Sequence, residues 1–221
     1  MSTSPISPFD YDQEPTNVSV YLNDKPLDEK ISIQQLSVNS SVNFPAKALL
    51  TLVTEKDIDS ADFTEGKNVI IKLGYGLDLL PVFEGLILQK AITDHTSGGT
   101  TIKLLSISTA AIIKMEAPYT KQLIDLPGPF LKLTPGTDII DYTITACQKP
   151  DLYNPDWFCG RFSFPGSVLA AIHTLIRIDK ELQPHRQQDP YIASVEHVLE
   201  NGTWVTSVTL GKPDPIIMLT S

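Results

Sequence analysis

His95, His173, His185 and His197 are the first side chains to test for chemistry, because imidazole serves both as general base and as metal ligand. They are scattered along the chain, without the i, i+4 spacing or the neighbouring cysteines that a zinc site favours. His197 falls in a segment that alternates like a strand, and the pattern places it facing solvent. Asp57 with Asp59, and Asp138 with Asp141, are the carboxylate pairs near enough in sequence to share a proton. In loops such acids cap turns. No serine stands in a G-x-S-x-G elbow, and Cys159 has no accompanying base motif. Gly74-Tyr75-Gly76 has the letters of a potassium-channel filter, a reading that fails without a membrane span. It is no phosphate loop either, since no G-x-x-x-x-G-K is present and no helix follows to offer its N-terminus. The expectation is therefore no catalytic residue, no metal ligand and no cofactor site. Gly74-Tyr75-Gly76 reads as a turn whose glycines take positive φ around a tyrosine.

Bulk properties narrow the partners. The chain has 221 residues, 42% hydrophobic and 19% charged, enough for one sizeable core or two small ones. A net charge of −9 leaves neither the basic face of a nucleic-acid binder nor the basic amphipathic helix of a peripheral membrane protein. No stretch reaches the roughly 18 apolar residues of a spanning helix, and residues 1–17 have no basic start and no apolar core of a leader. The chain reads as a soluble protein made and folded in the cytoplasm. Its two cysteines, Cys147 and Cys159, allow one disulfide, although composition favours two buried thiols.

The elements that must position any site follow a period of two. Seventeen prolines and twelve glycines punctuate short apolar runs, the mark of an all-β chain with a minor α contribution. A Ser-, Pro- and acid-rich arm covers 1–17. Strands are expected at Val18–Leu22, Ile31–Asn39, Ala46–Thr54, Asn68–Leu73, Val82–Ala91 and Thr101–Ser108. Asn23-Asp24 marks a turn, and the phase change at Gln34-Gln35 marks a bulge. Phe63 anchors the polar connection at 55–67 into the core, and 94–99 is a hairpin loop. Thr109–Met115 has helical spacing over barely two turns. Residues 18–115 thus form about six strands and one short helix, enough to close a small barrel.

Between 116 and 159 prolines recur at 118, 127, 129, 135, 150 and 155, which excludes long helices and leaves an irregular linker with one strand near Ile139–Ala146. Alternation returns at Arg161–Phe164 and Thr174–Asp179. It ends in a hairpin whose strands carry Tyr191, Ala193, Val195 and Val198 on one side, and Trp204 through Leu210 on the other. Asn201-Gly202 between them suits a type I′ turn, in which both central residues need positive φ. Residues 160–221 read as a second β unit.

Phe63, Gly66, Val69, Ile71, Gly74 and Tyr75, followed by Phe83, Gly85 and Ile87, resemble the first barrel of the VgrG and phage late-control (baseplate hub) family. That barrel has a phenylalanine, a G-x-x-V-x-I-x-x-G-Y strand and then F-x-G-x-I. Gly160, Phe164, Gly166, Tyr191, Val195, His197, Gly202, Trp204 and Gly211 resemble its second barrel. The resemblance covers about 18–115 and 160–211. It departs from the family in two places: only about forty proline-rich residues stand where the family inserts an α/β region, and the chain stops at "KPDPIIMLTS", ahead of any OB-fold or β-helical spike.

The resemblance implies two small β-barrels of the phage baseplate-hub/VgrG type joined by the irregular linker. It further implies a homotrimeric, non-enzymatic hub of a contractile injection system. Two similar barrels per chain in three chains would give a pseudo-sixfold ring able to dock on a hexameric tube protein, with spike and baseplate components as further partners. Such a protein would assemble in the cytoplasm and then belong to a phage tail-like or secretion particle. The spike would be a separate polypeptide, or the chain a fragment of a longer one. Negative walls around a central channel would let nucleic acid or acidic cargo pass without sticking. The rival expectations are a monomeric β binding module, carbohydrate-recognising or adhesin-like, and a hydrolase with a diffuse site.

Overall fold

Strict alternation of apolar and polar residues makes strands, and in the computed structural model of the chain it does so from Thr16 onward. The structure describes residues 15–41, 44–55, 63–96, 98–109, 131–133, 140–146, 158–172, 176–178 and 191–211. Within them the strands are β1 (Thr16–Leu22), β2 (Lys25–Pro26), β3 (Ile31–Ser41), β4 (Phe44–Thr54), β5 (Asn68–Tyr75), β6 (Asp78–Asp94) and β7 (Thr100–Ser108). After these come β8 (Leu131–Leu133), β9 (Asp141–Ala146), β10 (Phe158–Pro165), β11 (Ile176–Ile178), β12 (Tyr191–Glu200) and β13 (Thr203–Gly211). The described residues are nearly all β, as expected. Of the expected helix at Thr109–Met115 all but Thr109 lies outside the described residues.

Eleven strands form one curled sheet in the order β2-β1-β5-β6-β7-β4-β3-β12-β13-β10-β9, and β8 and β11 pair separately in parallel. The turns explain the connections. Asn23 and Asp24 have φ of 49° and 63°, and Asn201 and Gly202 have 50° and 77°, which is the double positive φ of type I′ turns at both sites. The bulge expected at Gln34-Gln35 is present, where the β3–β4 register shifts between Ile33 and Gln35.

β6 is 17 residues long and changes partner along its length. Asp78–Leu86 pairs with β5, and Gly85–Asp94 pairs with β7. Register shifts flank the changeover and leave Val82 and Leu88 as the extra residues, so the strand bends and the sheet turns a corner. Gly85 sits at the overlap. A Cβ there would lie 2.1 Å from the Ile107 carbonyl oxygen and 2.6 Å from the Phe83 ring. The Phe-x-Gly pattern is thus a close strand crossing roofed by an aromatic ring.

The curl leaves its two ends unjoined: β1 pairs with β5 and β2, while β3 turns its other edge to β12. The core shows what fills the space. Leu36, Leu50, Leu52, Phe63, Ile71, Leu73, Ile87 and Leu104 pack in one cluster, and Leu199 of β12 and Trp204 of β13 belong to it too. A second cluster holds Phe162, Phe164, Ile192, Val195, Val208 and Leu210. Each fully buried aromatic or aliphatic side chain contributes about 1.5–3 kcal/mol, so Trp204 ties the second half to the first.

Candidate functional site

Most of the chemistry-bearing residues of the sequence do not meet. His95 holds a hairpin loop: its backbone N–H donates to the Gly99 carbonyl at 2.9 Å and its Nε2 lies 2.8 Å from Thr101 Oγ1. His173, His185, Asp57, Asp59, Asp138 and Cys147 lie outside the described residues, and of Cys159 only the backbone is described. Asp141 is exposed at the start of β9. Among the described residues no group of three or more His, Cys, Asp or Glu could hold a metal ion. Nor is any helix among them long and apolar enough to cross a membrane.

His197 is where the structure corrects the expectation. It faces inward, 5% exposed, rather than toward solvent. Val195, His197 and Leu199 share one face by simple alternation and point to the core, and a bulge between Ile192 and Ser194 brings Ile192 onto that face too. The ring Nδ1 lies 3.0 Å from Thr206 Oγ1 on β13, and Thr206 Oγ1 also accepts the Ser167 backbone N–H at 3.0 Å. Burial alone lowers the His197 pKa from 6.5 to about 4, so the imidazole is neutral at ordinary pH. A hydroxyl beside an imidazole has the outline of a nucleophile–base pair. Here Thr206 is 0% exposed, which shuts the pair off from substrate, and among the described residues no carboxylate orients the ring.

Trp204 also meets the Gly74-Tyr75-Gly76 segment. Gly76 takes φ of 55° at the first position of the two-residue β5–β6 turn, while Leu77 beside it does not. That is the type II′ arrangement. Gly74 does not share the expected positive φ; it lies in β5, where a Cβ would stand 1.8 Å from the Asp78 carbonyl oxygen. Its requirement is space. Tyr75 is no passive turn residue: its hydroxyl donates to the Gly166 carbonyl at 2.8 Å, 91 residues away. Its ring lies 5.3 Å from that of Trp204. Gly166 donates its N–H to the Trp204 carbonyl at 2.9 Å and presses so close to the indole that a Cβ would fall 1.8 Å from Cδ2.

Tyr75, Gly166, Ser167, His197, Trp204 and Thr206 therefore form one joint, built by β5, the segment after β10, and the β12–β13 hairpin. The cleft beside it measures about 70 Å³ and is lined by Leu80, Val168 and Leu169 among others. Ligand pockets usually run from about 300 Å³ upward, so this one has the size of a packing gap. Sequence reasoning identified Tyr75, Gly166, His197 and Trp204 as marked positions but missed Ser167 and Thr206. No local pattern separates those two from other surface-type residues.

Comparison with known proteins follows this geometry. No protein-family model matches the sequence, and no curated protein matches it. Solved structures do match. The chain is similar to the 43 kDa tail protein of prophage MuSo2 from Shewanella oneidensis, with a TM-score of 0.61 and 9% identity over 91% of this chain and 98% of that one. It is similar to the tail protein from Neisseria meningitidis MC58, with a TM-score of 0.61 and 10% identity over 89% and 96%. A third match is an Escherichia coli component of the type VI secretion system, described as structurally similar to the T4 bacteriophage tail proteins gp27 and gp5. Its TM-score is 0.57, with 7% identity over 86% of this chain and 76% of that one. At these identities the likeness is one of fold: the chain has the β fold of phage tail proteins.

Proposed function

We propose that this chain is a structural protein of a contractile injection system, a trimeric hub that joins the hexameric inner tube to the spike. The observation that carries the reading is the fold likeness to two phage tail proteins over about nine-tenths of the chain, at a TM-score of 0.61 with each. The joint supports it. The marked residues of the two halves are spent on holding one half against the other, which suits a part whose work is shape and symmetry. In this reading residues 18–115 and 160–221 act as two barrel-like units, the tube protein and spike are the partners, and no reaction is catalysed.

Light scattering coupled to size-exclusion tests it. The expected result is a particle of three times 24.3 kDa, or a monomer that trimerises on adding tube or spike protein. A strictly monomeric protein that binds glycans would instead establish the binding-module reading.

A further inference from the structure

His197 is the one buried side chain among the described residues whose ordinary pKa lies near neutrality. Among the described residues the strands beside it supply no counter-charge. β3, β13 and the segment 166–170 contain no charged residue at all. β4, beyond β3, carries only Lys47, which is exposed. On β12 itself the charged residues are Glu200, exposed, and Glu196, whose carboxylate pairs across the outer face with Arg161 of β10 at 3.1 Å. Beyond Trp204, whose ring contacts both His197 and Tyr75, the ionisable groups lining the joint are the Tyr75 phenol and Asp78 at the start of β6.

Hydrogen-bond capacity is equally limited. In the neutral ring Nδ1 can accept the Thr206 hydroxyl proton, whereas in the imidazolium Nδ1 donates, so Thr206 Oγ1, which already accepts the Ser167 N–H, must turn its own proton away. Trp204 offers a tilted ring 5.8 Å away and an Nε1 that itself has no partner among the described residues. The contacts next to His197 are those of the joint. Thr206 receives Ser167, Ser167 follows Gly166, and Gly166 receives Tyr75. Among the described residues the segment 166–170 is held by these hydrogen bonds, by Gly166 N–H to the Trp204 carbonyl at 2.9 Å, and by two longer ones within it, Leu169 N–H to Ser167 Oγ at 3.3 Å and Ala170 N–H to the Ser167 carbonyl at 3.4 Å. The β-ladders on either side are far more heavily bonded.

We propose that His197 is a proton-operated latch: taking up a second proton, its buried ring becomes a cation and reverses the Thr206 hydrogen bond, and the joint between segment 166–170 and β5 opens, while the β4–β7 part of the sheet stays closed. The step is a protonation equilibrium and needs no other reactant. Because burial holds the ring neutral at ordinary pH, the latch is shut there and opens on acidification. This inference does not depend on the hub reading.

Amide hydrogen exchange on the full chain, compared at about pH 7 and about pH 4.5 after correction for intrinsic rates, tests it. A group that falls from the ordinary histidine pKa to about 4 predicts a loss of protection on the order of 50-fold in 166–170 and 191–211, with 68–75 and 100–108 far less affected. His197→Gln, which keeps a hydrogen-bonding group but cannot charge, should abolish the regional difference. Histidine C2–H titration of the wild type should show one ring well below the ordinary value. Uniform acid exchange across both regions, an unchanged acid opening in His197→Gln, or four ordinary titrations would each overturn the proposal. Should His197→Gln fail to fold, the wild-type exchange and titration decide alone.

Discussion

Gly166 and Tyr75 show how little tolerance the joint has. An alanine at 166 would put its Cβ inside the Trp204 indole, and neither group can move, since the Gly166 amide is bonded to the Trp204 carbonyl. Overpacking of this kind costs about 1–3 kcal/mol, so Gly166→Ala should lower the urea midpoint accordingly. Tyr75→Phe keeps the ring against Trp204 and deletes only the bond to Gly166, for an expected loss of about 1 kcal/mol. The same scale governs pH. His197 has a folded pKa of about 4 and an unfolded value of 6.5, so the unfolded chain takes up its proton first as pH falls. Stability from this group is full above 6.5, declines through the window between the two values, and levels out below about 4 with a total loss of about 3 kcal/mol. Urea unfolding across that window should show this component in the wild type and not in His197→Gln.

At the scale of elements, turns set the register and bulges set the phase. The two type I′ turns place non-glycine residues at positive φ in three positions, Asn23, Asp24 and Asn201. Asparagine tolerates this better than most residues, and aspartate does so at a cost that glycine lacks. Asp24→Gly should therefore stabilise the β1–β2 hairpin by about 0.5 kcal/mol, and Gly202→Ala should destabilise the β12–β13 hairpin by about 1 kcal/mol, both read as midpoint shifts at constant m-value. Bulges are harder to foresee. The one at Gln34-Gln35 was legible because it interrupts an apolar alternation on β3. The one at Ala193 is not, because alanine and serine give no apolar contrast to reveal the slip; it brings Ile192 to the core face, while the burial of His197 follows from its two-residue spacing to Val195 and Leu199.

For the molecule as a whole, the unbroken sheet from β1 to β9 means that the halves share strand pairing as well as core. Leu199 and Trp204 lie in the cluster of the first half although they follow it by about a hundred residues. Truncation after Ser108 would remove β12 from the edge of β3 and Trp204 from the core. Such a fragment should bind the dye 8-anilinonaphthalene-1-sulfonate and lose the cooperative urea transition of the full chain. If the hub reading holds, the particle of three chains should persist in Tyr75→Phe, since that bond lies within one chain.

What the sequence by itself determined is the strand content, the turn types, Phe63 as an anchor and the marked glycines and aromatics. These are local properties: a period of two, a φ that only certain residues adopt, an aromatic beside a glycine. Only the tertiary structure decided that Tyr75 reaches Gly166, that Gly74 is needed for space and not for its φ, and that His197 is buried beside Thr206. Those facts depend on which strands become neighbours and on the exact count of bulged residues between them. A one-residue slip exchanges the two faces of a strand, and contacts between residues about ninety positions apart leave no trace in the local pattern.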